Sequence, residues 1–126
     1  MSELDRPIVL LDAGGTLISI DYERIRAVAA RFGPVPSDAA LDEAEARARA
    51  WADAGVRARL ATRQLWDGYF GRIFQRVGLP ECHLAWCLDA LWETHHERGL
   101  WRRPIPGARG VLQRLRAAGK RLGVVS

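Results

Sequence analysis

Two short apolar runs without polar alternation stand at opposite ends of the sequence, Ile8 to Leu11 and Leu122 to Val125. Such runs suit strands buried on both faces of a parallel sheet, whereas a strand with one wet face alternates. The second run follows a short amphipathic segment carrying Val111, Leu112 and Leu115, which stops at Gly119. A helix that feeds an apolar strand is the closing half of a crossover and needs an earlier parallel strand as its partner. The two runs are therefore expected to be parallel neighbours, with a long insertion between them.

That insertion reads as helical. Ile25, Val28, Ala29 and Phe32 recur at helical spacing after Asp21 and stop at Gly33. Ser37 is placed to cap a second helix with Leu41, Ala44, Ala48 and Trp51 on one face, loosening near Ala54-Gly55. An aromatic stripe of Leu65, Trp66, Tyr69, Phe70, Ile73 and Val77 ends at Gly78-Leu79-Pro80. A last helix is expected from Glu81 to Arg98, with Leu84, Leu88, Leu91 and His95 on one side. Arg103 to Gly107 reads as a linker.

Composition excludes several classes. No apolar run approaches the ~20 residues that span a bilayer, so no membrane partner is expected. The N-terminus has Glu3 and Asp5 where a secretory signal would be basic, and a cytoplasmic protein is expected. Cys82 and Cys87 fit no common zinc spacing and read as buried or half-buried thiols. The formal charge is +4, and Lys120 is the sole lysine among 19 basic residues. The arginines are scattered and often lie beside Glu or Asp, as a solvated helix face requires, so no nucleic-acid partner is expected. His95-His96-Glu97 lacks the spacing of a helical zinc site. Trp66, Trp86, Trp92 and Trp101 either pack the helices together or shape a pocket.

The first run leads into Asp12-Ala13-Gly14-Gly15-Thr16-Leu17. An apolar strand, Asp-x-x-Gly-Thr-Leu, a helical insertion, Pro106-Gly107, a helix and a strand ending in Ser126 together form an order. That order resembles the haloacid dehalogenase superfamily of hydrolases over nearly the whole chain. The resemblance implies an α/β fold, a Rossmann-like parallel-sheet core with an inserted all-helical cap, of which two core strands are present. Residues 1–20 and 102–126 would belong to the core and residues 21–101 to the cap.

Asp12 would then be the nucleophile, at the strand end where open α/β sheets bind ligands, attacking a phosphorus or carbon centre to form an aspartyl intermediate. Gly15 and Thr16 would offer donors to the transferring group, and Ser126 would donate a hydrogen bond to a phosphoryl oxygen. A magnesium ion would be held partly by Asp12 and partly by the main-chain carbonyl of Gly14. The implied partner is a small, phosphorylated or otherwise anionic substrate.

One position departs from the pattern. Phosphatases of the superfamily carry a second aspartate two residues after the nucleophile, which protonates the leaving oxygen and then activates water. Here that position is Gly14. Haloacid dehalogenases tend to have Tyr there and phosphonate hydrolases Ala, but the latter use a cap lysine and this insertion has none. A non-catalytic relative serving as a binding module is thus the alternative to a divergent hydrolase. The superfamily's later lysine and acidic pair would lie beyond Ser126. Two strands would also leave apolar faces uncovered, so the chain is expected to be the N-terminal part of a longer protein, inactive alone.

Overall fold

The computed structural model describes residues 2–125 and is a mixed α/β structure. Its elements are β1 (Ile8–Asp12), β2 (Ile18–Ile20), α1 (Tyr22–Ala29), α2 (Asp38–Arg57), α3 (Thr62–Arg76), α4 (Glu81–Arg98), β3 (Trp101–Pro104), α5 (Ala108–Ala117) and β4 (Arg121–Val125). The chain divides into two compact units, one of Met1–Asp21 with Leu100–Ser126, the other Tyr22–Gly99.

In the first unit β1 and β4 pair in parallel, Ile8 opposite Arg121 through Asp12 opposite Val125, as expected of the two terminal runs. Helix α5 supplies the crossover and packs against β4. Burial differs from expectation. Ile8 is 55% exposed and Leu10 67%, with Val124 and Val125 also exposed, while Val9 and Leu11 are half-buried. Strand β1 therefore alternates in burial despite its unalternating sequence, whereas β4 is half-buried from Arg121 to Gly123 and exposed at Val124 and Val125. One crossover helix cannot cover both faces of a sheet, so within these residues one face of β1 stays open.

A second ladder was not foreseen. β2 and β3 pair antiparallel, Ile18 opposite Pro104 and Ser19 opposite Arg103, with an irregularity before Ile20 opposite Trp101. Part of the expected linker is thus strand. Pro104 is tolerated because it closes β3, where a missing N–H costs no interior rung. The pairing is extended by Ile105 N–H donating to the Leu17 carbonyl and Asp21 N–H to that of Leu100.

The second unit holds four helices. Ser37 Oγ accepts the Ala40 N–H at 3.2 Å and so caps α2. The fully buried side chains include Ile25, Leu41, Phe70, Ile73, Phe74, Cys87 and Leu91, the positions that helical periodicity turns inward. Helix α1 ends at Ala29, before Phe32, and the Gly33 N–H returns to the Ala29 carbonyl. Helix α2 runs unbroken through Ala54-Gly55 where loosening was expected. Gly55 is a contact point: a Cβ there would lie 2.7 Å from Leu65 Cδ2 of α3. Close helix packing explains that glycine.

Candidate active site

Asp12 is the last residue of β1, and strand alternation places its exposed side chain on the same face as Ile8 and Leu10. Its Oδ1 accepts the N–H of Ala13 at 2.8 Å. The chain then winds into a tight loop. The Ala13 carbonyl accepts N–H groups from Leu17 at 2.9 Å and Ile18 at 3.0 Å, with Thr16 at 3.3 Å. Gly15 N–H donates to the Ile18 carbonyl at 2.8 Å. Gly15 has φ +78°, a left-handed conformation that disfavours a side chain, which is why a glycine stands there.

The loop therefore uses most of its own donors. The N–H groups of Gly15 and Thr16, expected to face a ligand, point into loop hydrogen bonds. Among the described residues, the Gly14 N–H and the Thr16 hydroxyl are left without a protein partner, on exposed residues at the end of β1. Ser126 lies outside the described residues; its neighbour Val125 sits opposite Asp12 in the ladder.

Gly14 has an open surround. A Cβ built there would meet Trp101 Cδ1 at 3.7 Å and Nε1 at 3.8 Å, ordinary van der Waals contact. A side chain at position 14 is therefore compatible with this backbone, and its neighbour would be the indole of β3. In the sequence Trp101 is one more aromatic residue, with nothing to connect it to the loop. Only the unforeseen β2–β3 pairing brings it there. Arg103 is held at the same ladder, its Nε donating to Ser19 Oγ at 3.0 Å.

The Asp12 carboxylate and the Gly14 carbonyl are hard oxygen donors two residues apart on exposed backbone. They suit Mg2+, which favours oxygen ligands and ordinarily keeps several waters beside one or two carboxylates. Among the described residues no cluster of three or more His, Cys, Asp or Glu side chains could hold a metal by itself.

Of the other residues singled out by sequence, Trp66, Trp92, His95 and His96 cluster in the helical unit, whereas Trp86 is 65% exposed. Trp66 lies 4.8 Å from His95 and 4.9 Å from Trp92 between ring centroids, and His96 Nδ1 lies 2.9 Å from the Trp92 carbonyl oxygen. Burial, then the neighbouring His96, pulls the His95 pKa below its usual value. Burial raises the Cys87 thiol to about 11, so it stays protonated at neutral pH, whereas Cys82 is exposed. No described helix is long and apolar enough to cross a membrane. No family model matches this chain, and no curated protein matches it in sequence.

Proposed function

We propose that this chain carries the nucleophile strand and loop of a haloacid dehalogenase-like hydrolase, with a Rossmann-like core, a helical cap and a small phosphorylated substrate. The observation that carries the reading is the position of Asp12. Its exposed carboxylate closes a strand paired in parallel with the strand after a crossover helix, beside an exposed glycine loop. Such strand ends are where α/β sheets present reacting groups. Asp12 Oδ attacks phosphorus, the bond from phosphorus to the leaving oxygen breaks, and the phosphoryl group is held as an acyl phosphate. The Gly14 N–H and Thr16 hydroxyl are the donors available to its oxygens. Mg2+ held by Asp12 and the Gly14 carbonyl would supply positive charge against those oxygens.

Gly14 offers no proton to a leaving alkoxide and no base for water. Phosphoryl transfer is therefore expected to be efficient only from donors whose leaving group is already a weak base. Acetyl phosphate is such a donor, because acetate leaves unprotonated. Incubation of the full-length protein with acetyl phosphate and Mg2+, read by intact mass, should add one phosphoryl group to the protein and none to Asp12→Asn. An adduct that persists in Asp12→Asn, or no adduct in the parent, overturns the nucleophile assignment. The second reading, a binding module without catalysis, is favoured by the bare Gly14 and expects no adduct.

A further inference from the structure

The helical unit contains a cleft of about 430 Å3 between α2 and α3, lined by Ala44, Arg47 and Trp51 from one helix and Arg72, Gln75 and Arg76 from the other. Two rows at i, i+4 spacing face each other here. Glu43, Arg47 and Trp51 run along α2, and Gly68, Arg72 and Arg76 along α3. Arg76 Nη2 donates to Glu43 Oε1 at 2.7 Å near one end, and Trp51 meets Gly68 and Arg72 at the other, so the rows are antiparallel.

The Trp51 end is interlocked. A Cβ on Gly68 would fall 1.9 Å from Trp51 Cη2, so the indole seats where only a glycine leaves room. The Arg72 guanidinium lies 4.0 Å from the Trp51 ring centroid, and its Nη1 donates to the Gly68 carbonyl at 3.2 Å. Stacking and this bond fix a planar cation whose remaining N–H groups are uncommitted to the described residues. At the other end Glu43 serves two arginines, Arg76 at 2.7 Å and Arg47 at 3.5 Å. Arg76 first, then Arg47, holds the Glu43 carboxyl below its usual pKa. Among the described residues, neither the Gln75 amide nor the Trp51 indole N–H hydrogen-bonds to protein.

Three guanidinium groups thus line the cleft and one carboxylate, Glu43, pairs with two of them, an excess of two positive charges around a cleft with an apolar floor. A phosphate monoester carries about −1.5 to −2 near neutral pH, and the guanidinium fork matches its oxygens. The volume is in the range of about 300–1,000 Å3 typical of small-molecule sites. We propose that this cleft binds a small organic phosphate, with the phosphoryl group between Arg47, Arg72 and Arg76 and the organic body against Trp51 and Ala44. The site lies wholly within the helical unit and does not depend on the reading of Asp12.

Phenyl phosphate is a suitable probe, titrated into Asp12→Asn protein so that Asp12 chemistry cannot contribute, with the assigned Trp51 indole NMR signal as readout. Saturable shifts of that signal are expected. Arg47→Gln and Arg76→Gln should each weaken binding about tenfold, the scale of one charge-assisted hydrogen bond. Glu43→Gln should tighten it severalfold by releasing both arginines, an outcome that misfolding could not mimic. Phenol and benzoate should bind far more weakly. Absence of Trp51 shifts, insensitivity to the arginine variants, or benzoate binding as well as phenyl phosphate would overturn the proposal.

Discussion

At position 14 a hydrogen atom stands where a phosphatase of the resembled superfamily carries a carboxylate, yet the backbone leaves room for one beside Trp101. Gly14→Asp should therefore fold, and under the proposed hydrolase reading it supplies a group able to activate water. General acid–base catalysis is worth typically ~10²–10⁴-fold. The lifetime of the Asp12 phosphoryl adduct should shorten by a factor in that range, measured by intact mass after acetyl phosphate is removed. An unchanged lifetime would show that position 14 does not limit hydrolysis. Tyr69 gives a stability counterpart. Its hydroxyl donates to Glu45 Oε1 at 2.7 Å, and burial first, then Glu45, raises its pKa far above the usual phenol value. Tyr69→Phe should lower stability by about 1.5 kcal/mol in urea unfolding, because Arg49 still satisfies the Glu45 carboxylate at 2.6 Å.

Among the elements, those set by local periodicity were legible in the sequence. The stripe Trp66, Tyr69, Phe70 and Ile73 turns inward on α3 as its spacing requires, and both terminal strands pair as expected. What escaped were features fixed by distant partners. Ile18–Ile20 is too short to signal a strand by itself, and Trp101–Pro104 is too polar. Gly55 reads locally as a breaker, but the side chain of Leu65 explains it. The Asp12 loop was legible because its turn is local. The α2–α3 cleft was not, because each of its arginine rows alone has the pattern of a solvated face. Helix α4 carries a pH dependence of its own. The His95 pKa is depressed, so the folded state prefers neutral imidazole and the unfolded chain binds the proton more readily. Stability should be intact above the ordinary value of 6.5 and decline as pH falls below it. The urea midpoint should drop between pH 7.5 and 5.5, and drop less in His95→Gln.

For the molecule as a whole, the division into two units makes a separable prediction. The start of α1 and the end of α4 are tied together within the helical unit. Arg24 Nη1 donates to the carbonyls of Arg98 at 2.7 Å and Gly99 at 2.6 Å. With a buried core of its own, the segment 22–99 should fold alone and unfold cooperatively in urea, monitored by circular dichroism. A non-cooperative melt would show that its core needs the rest of the chain. The other unit keeps Ile8, Leu10, Val124 and Val125 exposed, and exposed apolar strands of that kind invite association.

Because β2 and β3 pair antiparallel and enclose segment 22–99, they amount to a hairpin whose turn is an entire helical unit. Closing so long a loop from a disordered chain carries an entropy cost that a two-residue turn avoids. Once the helices have packed and Arg24 has joined their two ends, most of that cost has already been met. Strand pairing then becomes nearly as local as in an ordinary hairpin. The clamp therefore favours one order of events: helices first, ladder second, and with the ladder the approach of Trp101 to Gly14.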